Sequence, residues 1–355
     1  MILGVILHSA NVYSTKSHWF VVDDVGHEFF NWIVAAIHLF RMPAFFFVSG
    51  FFCALTLERY GTRKFLRVRS TRILVPLLAT TLLINPLQAF VVEWTKVGTS
   101  ALFSQAVTNA IENGIWLFHL WFLVDVMVFF LLAATAFSLA PVRQSIIRLK
   151  QAPADLSSST RLAVIAFLLL PLINVACFGA AWVTGHAYAS LFGLTSLYRL
   201  MLYLPFFLVG MLAFWRADIL KRFTGGLWIY AVILVGSLFL GQVNIEQTST
   251  LGKFVPYYLN ALTTWLAIGV VLSLFAKYFS RPSPLFTYLS DASYSIYLFH
   301  HVLVIILGYT LLDQSWPTPI KFTLVAGTTL TISVAIHHFL VLRYSPIRFL
   351  FNGKQ

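Results

Sequence analysis

Charged side chains are scarce in this chain. They make up 10% of its 355 residues, and only 12 are acidic, against 24 lysines and arginines. So little charge excludes a soluble domain with a solvated polar surface. Cysteine is scarcer still, with two residues, Cys53 and Cys177, both inside apolar runs. That excludes a disulfide framework and a zinc site built on paired thiolates, so no metal is expected. There is no glycine-rich phosphate loop, no nucleophile elbow and no repeat of fixed period. The two halves carry no matching broken helices of the transporter kind, and low complexity is confined to "DLSSST", residues 155–160.

What the chain has is apolar length. Hydrophobic residues make up 59% of it, arranged in runs near the roughly 20 residues a helix needs to cross hydrocarbon. The runs fall at about 1–13, 29–57, 73–92, 116–140, 162–184, 198–215, 226–242, 257–276, 286–312 and 321–342. The reading is an all-α membrane bundle of roughly ten helices, with residues 1–355 forming one domain. Prolines in the third and sixth runs are tolerable where neighbouring helices satisfy the freed backbone groups.

The net charge of +12 follows the connections. Arg59, Arg63, Lys64, Arg67, Arg69 and Arg72 lie between the second and third runs, and Arg143, Arg148, Lys150 and Arg161 between the fourth and fifth. Arg216, Lys221, Arg222, Lys277, Arg281, Arg343, Arg348 and Lys354 complete the even-numbered connections and the tail. Asp23, Asp24, Glu28, Glu93, Glu112, Glu246 and Asp313 lie on the alternate side. Because short cytoplasmic loops collect lysine and arginine, both termini are expected in the cytoplasm and the acidic connections outside. The basic excess then sets orientation in a lipid bilayer, and no nucleic-acid partner is implied. The first run is short, with no basic region ahead of it, which suits neither a signal peptide nor a full span. The expectation is a reading frame extending upstream by about ten residues, a basic one among them.

Polar residues inside the runs carry the functional signal. A charge near the bilayer centre costs at least about 2.5–3.5 kcal/mol and normally faces a cavity or a partner. Arg41, in "AAIHLFRMPAFFFVSGFF", lies at least about 18 Å from either end of its run at 1.5 Å per residue. His38, Arg41, Phe45 and Ser49 share one stripe of that helix. In "LSDASYSIYLFHHVLVI", Ser293, Tyr297 and His300 share a face, with Tyr294 and His301 beside them. His8 in the first run and His119 in "FHLWFL" complete a set that can converge on one cavity. Each has a plainer reading: an ion pair or a snorkelling role for Arg41, an interhelical hydrogen bond for His8, an interface anchor for His119. Adjacent His300 and His301 point in different directions, so one of them at most is expected in a site. His27, His186, His337 and His338 read as structural or solvated. Asp125 has no partner at helical spacing, and the sequence offers no account of it.

The same stretches carry a family likeness. "FRMPAFFFVSGFF", "KFLRVRSTRILVPLL", "FHLWFL" and "DASYSIYLFHH" follow in an order and spacing that resembles the integral-membrane acyltransferase 3 family. "GVILHSANVYSTKSHWFV", "LYLPFFLVGMLAF" and "RYSPIRFLFNGK" narrow the likeness to members that succinylate osmoregulated periplasmic glucans. The resemblance implies an enzyme of the bacterial inner membrane that takes an acyl group from cytoplasmic acyl-CoA, here succinyl-CoA, and places it on glucan hydroxyls outside. It implies no bound cofactor, and as partners the glucan acceptor, the acyl-CoA donor and other glucan-biosynthesis proteins. By position it implies catalytic roles for His8, Arg41 and His300 and acyl-CoA contacts for Arg69 and Arg72. His38, Ser49, His119 and Tyr297 are expected to bind substrate. One feature departs from the family pattern, which has a basic residue upstream of the first-span histidine, at a position that here would precede Met1.

The chemistry suits those residues. Acyl transfer to a hydroxyl needs a base, and histidine titrates near neutrality; His8 is the expected base. The oxyanion of the tetrahedral intermediate needs a fixed cation, Arg41 or a protonated His300. A succinyl carboxylate needs another, and a guanidinium holds it through two parallel hydrogen bonds. An O-acetyltransferase for another surface polysaccharide or lipid, an anion or glycan transporter, and a non-catalytic scaffold remain alternatives.

Overall fold

A computed structural model describes residues 1–152, 160–186, 188–241, 250–281 and 283–354. Residues 155–159 of the low-complexity run and Glu246 lie outside them, as does the side chain of Arg161. The described chain is almost wholly helical. In order come α1 (Ile2–Val12), α2 (Glu28–Arg69), α3 (Val75–Leu83), α4 (Asn85–Val97), α5 (Phe103–Glu112), α6 (Trp121–Ser138), α7 (Ala140–Gln151) and α8 (Thr160–Val183). A two-stranded hairpin follows, β1 (Ser190–Leu191) and β2 (Thr195–Ser196). Then come α9 (Leu197–Trp215), α10 (Ala217–Gly225), α11 (Leu227–Leu240), α12 (Thr250–Tyr278), α13 (Pro284–Thr310), α14 (Thr318–Ile336) and α15 (Ser345–Asn352).

Six stretches among the described residues are long and apolar enough to cross a membrane: Glu28–Ser100, Phe118–Ser138, Leu197–Trp215, Phe254–Tyr278, Pro284–Thr310 and Thr318–Val341. Ala217–Gly225 and Leu227–Leu240, bent by 66°, make a seventh if taken together. Ile2–Val12 and Phe167–Val183 are shorter apolar helices. This is a multi-pass membrane protein. The 73-residue stretch is interrupted at Gly61, whose φ of 70° and ψ of 168° lie where only glycine is at ease. The break falls just past the apolar run expected at 29–57. The chain then re-enters through a π-helical turn, Ser70–Leu74, into α3 and α4, each carrying proline in its first turn, where the missing N–H costs nothing.

The centre of the bundle is the crossing of α2 and α9. A Cβ added to Gly50 would collide with the Phe207 carbonyl, and one added to Gly210 with the Phe47 carbonyl. Two bare backbones therefore touch, the usual way membrane helices gain packing without a hydrophobic drive between them. Aromatic rings fill the flanks, with Phe46 stacked on Tyr203 at 4.4 Å and against Phe129 at 5.4 Å. Gly210→Leu is expected to remove most of the folded protein from membranes, because the opposing backbone cannot retreat. Leu208→Ala, at an exposed position on the same helix, serves as the control, and in-membrane abundance of the two variants is the measurement. Equal abundance would show that the crossing is not central.

The connection from α1 to α2 folds back on the bundle. Asp23 N–H donates to the Val12 carbonyl at 2.7 Å and His27 N–H to the Tyr13 carbonyl at 2.9 Å. The Asp23 carboxylate then accepts from Lys321 of α14 at 2.9 Å, with both side chains under 5% exposed. This clamp lays Trp19 against His8 of α1 and both Trp19 and Phe20 against His301 of α13. His27 itself caps α2 by accepting from the Phe29 N–H.

Candidate active site

Four histidines from two helices and a short turn meet beneath that connection. The His119 ring is stacked on His301 at 4.6 Å and set edge-on to His300 at 5.1 Å. The His8 ring lies 4.8 Å from His301, 5.3 Å from His300 and 5.5 Å from Trp19. They line a cavity of about 440 Å³ together with His38, Arg41, Phe45, Arg199, Tyr203 and Tyr297. His119, His300 and His301 are buried. Both members of the His300–His301 pair face the cavity, contrary to the expectation that one at most would. A step of one residue turns the side chain by about 100°, yet His8 and His119 each contact both rings, and Trp19 and Phe20 close on His301. His119 is an interior residue and not an interface anchor.

Hydrogen bonds fix most of the rings. His300 Nδ1 lies 2.9 and 2.8 Å from the Ile296 and Tyr297 carbonyls. It therefore carries the proton, and its Nε2, which has no partner, keeps a lone pair in the neutral ring. His119 Nε2 donates to the Tyr297 carbonyl at 2.8 Å, and the Tyr297 hydroxyl donates back to the His119 carbonyl at 2.7 Å. His301 Nδ1 pairs with the Gln88 amide at 2.9 Å. His8 makes no hydrogen bond among the described residues, and its Nδ1 is buried without a partner. It is the ring left free to exchange a proton. His8 Nδ1, His119 Nδ1 and His300 Nε2 are buried without a partner, and among the described residues no group of three histidine, cysteine or carboxylate side chains is arranged to hold a metal ion.

Arg41 enters from α2 opposite α1. A Cβ added to Gly4 would lie 3.4 Å from Arg41 Nη1 and 3.5 Å from His300 Nε2. Glycine there lets both groups address the same small volume. None of the ion pairs among the described residues involves Arg41, and its Nε is buried without a partner. The structural ion pair considered from sequence is therefore absent among the described residues. A guanidinium held in this way is positioned for an anionic ligand or transition state.

Ser49 does not reach the cavity. Positions 41 and 49 differ by about 80° around a helix of 3.6 residues per turn, so the stripe drifts away from the site and Ser49 sits beside the α9 crossing. Arg69 also lies outside it: Nη2 donates to Thr56 Oγ1 at 2.9 Å, and the guanidinium lies over the Phe130 ring at 5.1 Å. Arg72 is exposed at the π-helical turn. His38 lines the cavity.

Sequence reasoning missed Arg199. It sits in the first turn of α9, where Nε and Nη2 grip both oxygens of the buried Asp125 carboxylate at 2.7 and 3.2 Å and Nη2 reaches the Leu194 carbonyl at 2.6 Å. Its guanidinium lies over Trp121 at 4.7 Å. The missed signal was that a lone aspartate in an apolar helix calls for a cation, and Arg199 begins another apolar run. The hairpin β1–β2, tied down by the Trp116 indole donating to the Phe192 carbonyl, places Leu194 for this contact. Asp125→Ala leaves a largely buried guanidinium unpaired and is expected to cost about 3 kcal/mol of stability. Thermal unfolding of the purified protein measures it, and a melting temperature equal to the parent's would deny the pair a structural role.

Comparison with known proteins bears on this site. A family profile described as "Acyltransferase domain" matches residues 1–338. "Glucans biosynthesis protein C" of Salmonella gallinarum (strain 287/91 / NCTC 13346) is 28% identical over 362 residues, covering 100% of this chain and 92% of that protein. Proteins of the same name from Salmonella agona (strain SL483) and Salmonella enteritidis PT4 (strain P125109) are 27% identical with the same coverage. No solved structure matches.

Proposed function

The chain belongs to the acyltransferase 3 family, and from this premise we propose that it moves a succinyl group from cytoplasmic succinyl-CoA onto hydroxyls of a glucan outside the bacterial inner membrane. The observation that carries the reading is the cavity in which an unpaired Arg41 and a free His8 share walls with His300. The relatives' name supports a glucan-related acceptor, and a cation without a counter-ion suits an acidic acyl group.

In this reading the chain forms one domain with roughly ten crossings. The stretch from Glu28 is divided at Gly61, and α1, α8 and the bent α10–α11 pair are counted with the six long stretches. Both termini and the basic connections face the cytoplasm. The acceptor hydroxyl gives its proton to His8 as its oxygen attacks the thioester carbonyl. The oxyanion forms beside Arg41, the carbon–sulfur bond breaks, and the protonated His8 returns the proton to the leaving thiolate. His38, His119 and Tyr297 shape the substrate space, His119 and Tyr297 by holding each other rigid. Arg69 and Arg72 meet the donor's phosphates outside this cavity, at its cytoplasmic approach.

Release of free coenzyme A tests the reading. Purified protein given succinyl-CoA and glucan is expected to liberate thiol in step with glucan ester. Thiol release that glucan does not stimulate would exclude glucan as the acceptor.

A further inference from the structure

A second cavity, of about 570 Å³, lies between α2, α8, α9 and α12 and shares two wall residues, His38 and Tyr203, with the histidine cavity. We propose that it is the acceptor's binding site, holding one or two sugar rings while a hydroxyl projects past His38 and Tyr203 toward His8. This deepens the acyltransferase reading and rests on it.

The lining is chosen for carbohydrate. Tyr257 is stacked on Phe178 at 4.3 Å, and Phe178 meets Tyr198 edge-on at 5.6 Å. Tyr257 keeps 45% of its surface exposed, which leaves ring surface free to lie against the C–H face of a pyranose. Polar groups stand beside it. Asn174 is engaged at both ends, accepting from the Trp265 indole at 2.8 Å and donating to the Leu202 carbonyl at 3.4 Å. Asn260, in "YYLNALTTWLAIG" on the same helix face as Thr264, makes no hydrogen bond among the described residues and is exposed to the cavity. An exposed carboxamide at a cavity wall can both donate to and accept from a hydroxyl-rich ligand, which an acyl chain cannot match. A few placed polar groups among aromatic walls, in a volume between about 300 and 1,000 Å³, are the marks of a small-molecule site.

Its depth agrees. Phe178 lies near the end of α8, Tyr198 at the start of α9 and Tyr257 early in α12, all on the side of the hairpin and the α1–α2 connection, the outer side in the orientation proposed above. The histidine cavity is covered on that side by Trp19, Phe20 and Phe118, so the wall at His38 and Tyr203 gives the acceptor a lateral approach.

The test uses the protein in lipid nanodiscs, with a glucose trisaccharide as acceptor probe and succinyl-CoA as donor. Tyr257→Ala and Asn260→Leu are expected to raise the acceptor KM roughly tenfold or more, with kcat at saturating acceptor and donor KM largely kept, because uniform binding is what is lost. Tyr257→Trp, which keeps an aromatic face, is expected to restore the acceptor KM to within about threefold of the parent's. Parental acceptor KM in both Tyr257→Ala and Asn260→Leu overturns the site. So does loss of co-purified phospholipid from Tyr257→Ala with acceptor KM unchanged, since the occupant is then lipid. Failure of the parent protein to release coenzyme A at all instead removes the underlying acyltransferase reading.

Discussion

His8→Ala is expected to lower acyl transfer by a factor on the order of 10²–10⁴, the range for loss of a positioned general base, while leaving the protein in the membrane at normal abundance. Abundance should hold because His8 makes no hydrogen bond among the described residues and α1 keeps its apolar contacts through Val5, Leu7 and Val12, all buried. The neighbouring rings behave differently. His119 is bonded to the Tyr297 carbonyl and His300 to two carbonyls of its own helix, so their removal disturbs the shape of the cavity as well as its chemistry. Small amines or imidazole added to His8→Ala should recover part of the rate, since the vacated volume adjoins an open cavity. A well-expressed His8→Ala enzyme with parental rates would remove it as the base and leave His300, with its bare Nε2, as the base instead.

Arg41→Lys separates two tasks that one guanidinium cannot do at once. Lysine keeps the charge and loses the planar fork that holds a carboxylate by two parallel bonds. If Arg41 receives the distal carboxylate of the donor, succinyl transfer should fall well below acetyl transfer from acetyl-CoA in the same variant. If it stabilises the oxyanion common to both donors, the two rates should fall together, by about 10²–10³ as for loss of an oxyanion donor. The geometry favours the second outcome, because Arg41 Nη1 lies beside Gly4, one helical turn from His8 on the same face of α1. Arg199 is then the cation left for the carboxylate, since its Nη1 is the one guanidinium nitrogen not committed to Asp125 or Leu194. Arg199→Met should in that case impair succinyl transfer selectively. Undiminished rates with both donors in Arg41→Lys would mean that charge alone suffices at this position.

Much of the bundle was legible because the membrane imposes a long-wavelength signal. Apolar runs bounded by basic clusters marked the positions at which helices form, and the prolines of the third and sixth runs could be placed without tertiary information, whereas the break at Gly61 was not anticipated. The His38–Arg41–Phe45 stripe was legible for the same reason, since helical spacing is local. Ser49 failed because the stripe drifts from the true helical angle with each four-residue step. His301 and Arg199 were not legible because their places depend on what surrounds them. A cavity wrapped by three elements accepts both members of an adjacent pair, and Asp125 finds its partner on a helix more than seventy positions away. Trp19 and Phe20 belong to a connection whose fold is fixed by Asp23 meeting Lys321 across the bundle, a pairing that no periodicity announces.

The central claim is that an acyl group crosses this bundle and ends in an ester on an external glycan. Proteoliposomes with glucan enclosed and succinyl-CoA labelled in the succinyl group added outside test it directly, reading the label recovered on enclosed glucan and its release by mild base. The account predicts base-labile label on the enclosed glucan, one free thiol produced outside per ester formed, and neither with His8→Ala. Label that accumulates inside as free succinate, or that enters equally well without coenzyme A, would contradict it and make the unpaired charge of Arg41 part of an anion pathway.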